Sequence, residues 1–585
     1  MGISASDPWE RGETNIDVVN NWTKILSNHA LKFGGEIRRV RDDLTQGQTY
    51  GPRGVFTYAD GQTSLNAPGE VASYGNDFAS FLLDLPNQVG RDVNVGDASW
   101  RETVYFGFLQ DTWQATKSLT FTYGLRWEFY PPATPKRTGG FSQYDLATNS
   151  LEVAGYGNIP RNIGMNVNAK DFEPRIGLAW RPISKTVVRS GFGISHTPFQ
   201  DNVYADNYPV RQNVVYNPLN SYTVTLQADN VTPETLQTGF PQEPQPVIPA
   251  NGIIPDASAT STWIIVNTAY RDPYVISYNF ALERDLGHGW VGDAAYVGNV
   301  GRHIPGNYNL NAGQVAGAGA SGQPEFATLG RTATTELLPR QTPFSYNSLQ
   351  AKLTRRLSNN LIANSGYAWQ KSLGYNSSTT SLGGYNFYLD FQRNYARTTW
   401  DRRQTFVQSV VYSLPFGRGQ RFATTGIGSA LAGGWQVSGL LSLDAGTPLL
   451  FEASASELNA PGTIQVPNQL APFRRLKGIG TANDWFNTSA FVQPTGAVLG
   501  NMGQNVYSGP GLLTFDSTLK RNFPIHESVS LDLRMQAFNA LNHPVFANPS
   551  TTLGGTSFGE VTSTLGDGGS SVGSRAVQFA ATLHF

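Results

Sequence analysis

Large apolar residues recur at every second position along many stretches of this chain. The clearest stretches cover residues 274–284 and 119–129. In the first, bulky apolar side chains face small or polar ones: Tyr274, Ile276, Tyr278, Phe280 and Leu282 against Val275, Ser277, Asn279, Ala281 and Glu283. A period of two residues is that of a β-strand, so the pattern predicts strands with one strongly apolar face.

Fifteen segments of this kind predict an all-β chain. They cover residues 15–26, 29–43, 102–116, 118–131, 171–182, 184–197, 274–286, 289–301, 345–357, 360–371, 402–415, 433–446, 511–522, 527–540 and 573–585. Strands of soluble proteins average about 5 to 6 residues, whereas a tilted strand needs about 9 to 11 residues to cross a bilayer. The length of these segments therefore favours a membrane barrel. A soluble sandwich with a polar outer face gives the same alternation, and this alternative stays open for any single strand.

The connections between these segments alternate between short and long. Short turns are predicted around Ser27, Lys117, Ile183, Gly287, Ser358 and Pro524, with one longer member at residues 416–432. Between them lie long stretches rich in Gly, Pro and Asn: 44–101, 132–170, 198–273, 302–344, 372–401, 447–510 and 541–572. Outer-membrane barrels have short periplasmic turns and long extracellular loops. The sequence therefore predicts an antiparallel transmembrane β-barrel of the outer-membrane type.

Composition removes several other classes of protein. The 585 residues include 42 Lys+Arg and 43 Asp+Glu, and this balance argues against a nucleic-acid-binding surface. The absence of cysteine excludes disulfides, thiol nucleophiles and Cys-ligated metal. Charged residues are only 15% of the chain, against about 25% in ordinary domains. No apolar run is long enough for a membrane-spanning helix, and the first residues do not form a signal peptide.

The last residues predict a final strand that ends on an aromatic residue. One face carries Val577, Phe579, Ala581, Leu583 and Phe585, and the other carries Gln578, Ala580, Thr582 and His584. Outer-membrane barrels present such a strand to the barrel assembly machinery. We therefore expect this segment to direct insertion into the outer membrane.

Several segments together resemble the Oar-like β-barrel region of TonB-dependent outer-membrane transporters. The likeness is densest at residues 20–44, 108–132, 172–198, 401–422, 434–448, 533–546 and 574–585. It implies a barrel of about 22 strands, occluded by an N-terminal plug on which the TonB complex acts. Because about 15 strands are predicted and no plug, TonB box or regulatory-like domain is seen, residues 1–585 are interpreted as the C-terminal portion of such a barrel.

No constellation of residues predicts catalysis or metal binding. The seven histidines have no ligand spacing, and no Ser–His–Asp order stands out. Residues 317–322 fit G-x-G-x-x-G but lack the flanking strand and helix of a dinucleotide site, so a flexible surface loop is predicted. We expect no enzyme activity, no cofactor and no metal. On the inner face of the barrel, charged residues are predicted to pair with one another, contact a plug or bias ion passage: Arg126, Glu128, Glu283, Lys352, Asp532 and Arg534.

Two functions are compatible with this sequence. In the first, extracellular loops bind an unidentified ligand and TonB acts on a plug to open a path through the barrel. In the second, the protein is a surface adhesin, a structural component or a passive pore. The aromatic-rich stretches 204–222 and 375–388 are candidates for ligand capture or for a packed lid. Both functions place the chain in the outer membrane of a Gram-negative-type bacterium, in contact with lipid and without nucleic-acid partners.

Overall fold

The computed structural model describes residues 7–47, 49–64, 75–198, 207–227, 229, 231–240, 245–358, 360–375, 384–477, 479, 483–526, 528–565 and 574–585. Within these ranges the chain forms one dominant sheet and several small ones. None of the helices in the described part has the length and apolar character needed to cross a membrane.

The dominant sheet is an antiparallel meander in which neighbours in sequence are neighbours in space. Its long strands are β1 (Trp9–Leu26), β2 (His29–Gln46), β3 (Trp100–Thr116), β4 (Leu119–Phe129), β5 (Asp171–Ile183), β6 (Thr186–His196), β7 (Tyr274–Gly287), β8 (Trp290–Asn309), β9 (Thr335–Ser358), β10 (Leu361–Gly374), β11 (Gln404–Ser413), β12 (Trp435–Asp444), β13 (Leu512–His526), β14 (Val529–Phe538) and β15 (Ala576–His584). Each pairs antiparallel with the next. Every predicted segment overlaps one of these strands, which confirms the all-β, mostly antiparallel prediction. The total of 22 for a complete barrel stays a prediction.

The two ends of the sheet differ in how the strands are connected. At one end, here called the short-turn end, hairpins such as β7–β8 close through two residues. His288 and Gly289 have φ values of 51° and 81°, the positive values that a tight two-residue turn requires. At the other end, the loop end, the strands are joined by residues 47–99, 130–170, 197–273, 310–334, 375–403, 445–511 and 539–575.

These long connections contain further elements rather than open coil. The described short strands are Val55–Thr57, Gln88–Val95, Thr134–Pro135, Ser142–Asp145, Ser150–Val153, Arg211–Tyr216, Ile253–Ile254, Ser261–Val266, Ala396–Arg397, Pro448–Leu449, Asn468–Gln469, Phe491–Val492 and Tyr507–Ser508. Short helices lie at α1 (Asp77–Leu82) and α2 (Phe326–Leu329), and 3₁₀ turns at Asp60–Thr63, Gly319–Gly322, Phe391–Asn394 and Thr488–Ala490. A further short helix, α3 (Gly426–Ala432), lies between β11 and β12 at the short-turn end. Ser261–Val266 runs parallel to the first residues of β9, an exception to the antiparallel rule.

One face of the sheet is apolar and exposed, the reverse of a soluble protein. The register aligns bulky side chains in rows across neighbouring strands, for example Phe280 beside Tyr296 and Tyr296 beside Leu349. Phe280 is 55% exposed and Phe579, on β15, is 76% exposed. Large patches of this kind mark a surface that contacts lipid or another protein. We call this surface the apolar face.

The sheet has two free edges among the described residues. β1 and β15 do not pair with each other, and both are exposed along their whole length. The connections at the loop end nevertheless meet across the molecule: Ser454 Oγ lies 3.1 Å from Asp60 Oδ2, which belongs to a connection far away in sequence. Val577, Phe579, Ala581 and Leu583 share one face of β15, and Phe585 follows the strand. Their role in insertion stays a prediction.

Candidate functional site: the loop layer and the polar face

The buried hydrophobic residues of this molecule lie mainly in the long connections at the loop end. One cluster joins the connections before β3, β5 and β7 around Trp100, Phe141 and Tyr270. A second joins those that flank β11, β13 and β15 around Phe451, Phe486 and Phe491. The connections therefore form a packed layer, the loop layer, although their composition of Gly, Pro and Asn had predicted long polar loops with a packed lid considered only at residues 204–222 and 375–388.

A fully buried arginine holds one part of the loop layer together. Arg331 Nε donates to Glu325 Oε2 at 2.9 Å, and its other nitrogens donate to the carbonyls of Ser258 and Ser261 at 2.7 and 2.9 Å. Thr335 at the start of β9 also donates to Glu325 Oε2, at 2.6 Å. A buried charge needs such a set of partners because desolvation is expensive. The network fixes Ser261–Val266 beside β9.

The aromatic stretch predicted for ligand capture or for a lid is largely packed. Tyr385 and Tyr388 are buried, and Tyr308 and Phe391 pack against them. The Arg340 guanidinium lies 4.0 Å from the Tyr308 ring centre and 4.1 Å from that of Phe391. Burial raises the pKa of Tyr385 to about 12, so its hydroxyl stays a neutral donor. These contacts favour the lid interpretation for the described part of residues 375–388. The stretch 204–222 is described only from residue 207.

A hub of asparagine and serine residues joins the connection before β7 to the connections before β9 and β13. Asn459 Nδ2 donates to Asn220 Oδ1 and to the Gly317 carbonyl, both at 3.1 Å. Ser221 Oγ donates to the Ser456 carbonyl at 2.6 Å. Connections that are distant in sequence therefore meet at one place above the sheet.

The six charged residues predicted for the inner face do not form one network. Arg126 pairs with Glu128, which is buried, and Glu283 lies 2.8 Å from Arg189 Nη1. Asp532 lies 3.1 Å from Lys520 Nζ, whereas Lys352 and Arg534 are exposed and have no ion-pair partner within the described part of the chain. The register places all of them opposite the apolar face, on the side of the sheet here called the polar face. Whether this face lines a closed lumen stays a prediction.

A buried acidic cluster, missed in the sequence, lies where β5, β6 and β7 meet the loop layer. His196 Nε2 lies 3.7 Å from Asp171 Oδ1, and its Nδ1 lies 3.6 Å from Glu173 Oε1. Asp272 is also buried, and burial, followed by its hydrogen bond to Asp171, raises its pKa well above the usual range. Asp171 and Glu173 lie at the start of β5, His196 ends β6, and Asp272 lies just before β7, so no local sequence pattern marks the cluster. Among the described residues no group of three or more His, Asp or Glu side chains forms a metal site.

The raised pKa of Asp272 predicts a pH-dependent stability. A carboxyl group whose pKa is raised by folding binds its proton more tightly in the folded state. The free energy of unfolding therefore falls as pH rises from the ordinary aspartate value of about 3.9 through the raised value. We expect Asp272→Asn to reduce this decline and to be more stable than wild type at alkaline pH. The unfolding temperature of the detergent-extracted protein, measured by heat modifiability at pH 5 and pH 9, checks this. Asp256→Asn, at an exposed loop residue, is the control and should keep the decline.

Two aromatic rows border the apolar face. Trp127 and Trp369 lie towards the loop end, and Trp113, Trp290 and Trp435 lie towards the short-turn end. Ten residues separate Tyr274 from Arg284 on the same face of β7. That is roughly 33 Å along the strand and roughly 23 Å along the membrane normal at a tilt of about 45°. Outer-membrane barrels carry an apolar band about 25 Å tall between such rows.

Two sequence patterns linked to enzymes do not form sites here. The G-x-G-x-x-G stretch at residues 317–322 was predicted to be a flexible surface loop, and this is wrong. Gly319, Ala320 and Gly322 are buried in the loop layer, and Ala320 N donates a hydrogen bond to the Leu219 carbonyl of another connection. A G-x-S-x-G sequence also occurs, at residues 555–559. It lies in turns, without the strand-to-helix elbow that exposes a nucleophilic serine.

Comparison with known proteins gives a family and a set of distant structures. The FrpB iron transporter from Neisseria meningitidis is 9% identical, with 98% of this chain and 55% of that chain covered and a TM-score of 0.42. A mutant ferric enterobactin receptor (PfeA) from Pseudomonas aeruginosa is 10% identical, with 98% and 54% covered and a TM-score of 0.45. The outer membrane transporter YddB from Escherichia coli is 9% identical, with 98% and 54% covered and a TM-score of 0.48. The chain thus spans about half the length of these structures, and no curated protein matches it.

A long antiparallel meander with an exposed apolar face between aromatic rows defines a membrane β-barrel protein. The family model described as "Outer membrane beta barrel domain" matches residues 1–578. The chain belongs to this family, and it is located in the outer membrane of a Gram-negative-type bacterium.

Proposed function

We propose that this chain is the barrel part of a TonB-dependent outer-membrane transporter. The apolar face contacts lipid, the short-turn end faces the periplasm and the loop layer faces the outside. The loop layer is the main support for this proposal, since its buried cores and cross-connections make a pre-formed platform above the sheet. A pre-formed surface binds ligands without the cost of ordering loops.

Two exposed cations on the polar face support the presence of a plug. Lys352 and Arg534 lie exposed on it, on strands β9 and β14. A barrel of this width is either filled or open. We propose that carboxylates of a plug segment cover these two cations, and that the TonB complex acts on that segment. The protein then does no chemistry on its ligand, and it needs no cofactor. Assembly proceeds through β15 and the barrel assembly machinery.

Conductance in planar lipid bilayers tests this function. The protein extracted from outer membranes is expected to give no steady current, because a plugged barrel is closed until energy is supplied. Site-specific cross-linking from Lys352 should then yield a product with a plug-like segment. A large steady conductance would contradict the transporter proposal and would favour a passive pore.

An adhesin or structural protein is the second candidate, and the compact lid at residues 384–397 favours it. A lid whose aromatic side chains pack on each other leaves little room for a small ligand. Binding of intact cells to other cells or matrix, lost on deletion of the gene without loss of uptake of any nutrient, would support this second function.

A further inference from the structure

A groove on the apolar face has the shape and charge of a lipid site. Its volume is about 780 Å³, within the range of about 300–1,000 Å³ that is typical of small-ligand sites. The lining is apolar except at a few positions, and includes Leu361, Val410, Tyr412 and Phe515. It crosses strands β10 to β13, and the register places these side chains on the apolar face.

Glycine keeps the floor of this groove open. A Cβ atom at Gly439 would lie 2.9 Å from Cε2 of Phe515, so a larger residue at that position would displace the ring. The amide of Gln408 in the lining is already satisfied, since its Nε2 donates to the Ser409 carbonyl at 2.9 Å and its Oε1 accepts from Ser365 Oγ. The middle of the groove therefore suits a hydrocarbon chain.

One end of the groove carries a cation. Arg355 lines it three residues before the end of β9, and its guanidinium lies 5.2 Å from the Trp290 ring centre. Arg355 Nε is buried and has no hydrogen-bond partner among the described residues. A guanidinium at the end of an apolar groove is complementary to a phosphate attached to a hydrocarbon chain.

The helix α3, next to the groove, indicates where the membrane interface lies on the sheet. Arg521 and Trp435, both on the apolar face, donate to carbonyls at the C-terminal end of α3 (Arg521 Nη1 to the Leu431 carbonyl at 2.6 Å). α3 therefore lies against the outside of the sheet at the short-turn end. Its side chains Ile427 and Leu431 are 78% and 68% exposed, as expected for a helix lying at a lipid surface. Arg355 lies near the same end, where phosphate head groups are found.

We propose that this groove binds one glycerophospholipid, with an acyl chain along Val410 and Gly439 and the head-group phosphate at Arg355. The inference rests on the placement of the apolar face in lipid that is proposed above. It goes beyond general lipid contact, because it predicts one site with a defined charge and position.

Native mass spectrometry of the full chain, extracted from outer membranes and delipidated in detergent, tests the site. The probe is palmitoyl-oleoyl-phosphatidylglycerol, and the diacylglycerol with the same chains but no phosphate is the control ligand. We expect one tightly bound phosphatidylglycerol and much weaker binding of the diacylglycerol. Arg355→Gln should weaken binding about tenfold, the effect of losing one charge-assisted hydrogen bond, whereas Arg355→Lys should retain part of it.

Two further variants separate the groove from the rest of the surface. Val410→Trp should fill the groove and abolish binding. Arg284 also lies on the apolar face near the short-turn end, on β7 and away from the groove, so Arg284→Gln should leave binding unchanged. Equal losses in Arg355→Gln and Arg284→Gln would overturn the proposal, and so would a dimer of the chain that Val410→Trp dissociates. If no lipid is retained while spin labels on the apolar face still report a lipid environment, the site is wrong and the membrane placement stands.

Discussion

Most molecules of the Phe280→Arg variant are expected to fail to assemble in the outer membrane. Phe280 lies near the middle of β7, on the apolar face, and is 55% exposed. An arginine at the bilayer midplane on the lipid side of a barrel costs about 2–4 kcal/mol. The heat-modifiable folded fraction in isolated outer membranes measures the effect.

The neighbouring position provides the matched control. Asn279 is adjacent in sequence, on the opposite face of the same strand, and is also exposed. Asn279→Arg should leave the folded fraction close to wild type, since a polar face tolerates charge. Equal losses in the two variants would mean that the two faces of β7 have the same environment, which a membrane barrel does not allow.

Replacement of Glu325 by alanine is expected to destabilise the loop layer by about 3–5 kcal/mol. Arg331 would keep its position without its counter-charge, because it is fully buried and also bound to Ser258 and Ser261. Limited proteolysis of intact outer membranes should then cut between residues 255 and 335, while the strands of the sheet stay protected.

A double variant distinguishes a lost pair from a general loss of packing. Glu325→Leu with Arg331→Met removes both charges together, and such replacements are often neutral or stabilising. The double variant should therefore resist proteolysis better than Glu325→Ala. If the single variant is as resistant as wild type, the Arg331 network does not hold the loop layer.

The strands of this protein are readable from sequence because each is long and regular. In β7, for example, Phe280 and Leu282 alternate with Ala281 and Glu283, and a local period of two is enough to locate the strand. The order of strands follows as well, since short turns force neighbours in sequence to pair.

Apart from the lid considered for residues 204–222 and 375–388, the packing of the loop layer was not predicted, and the reason is physical. Its cores bring together single aromatic residues from different connections, such as Phe451, Phe486 and Phe491. Arg331 has no local feature that separates it from a surface arginine, and its partner Ser258 lies 73 positions away. The parallel pairing of Ser261–Val266 with β9 also depends on contacts distant in sequence. Periodicity reports only on neighbours along the chain, so it does not detect such arrangements.

A spin-label scan of β7 tests directly whether the apolar face contacts lipid. The chain has no cysteine, so each introduced cysteine is unique. Labels at residues 279 to 283 would be compared, in outer membranes, for collision with oxygen, which concentrates in lipid, and with a polar nickel complex. Labels at Phe280 and Leu282 are expected to collide mainly with oxygen, whereas labels at Asn279, Ala281 and Glu283 are not. Labels at Phe280 and Leu282 that collide mainly with the nickel complex, or with neither agent, would contradict lipid contact of the apolar face.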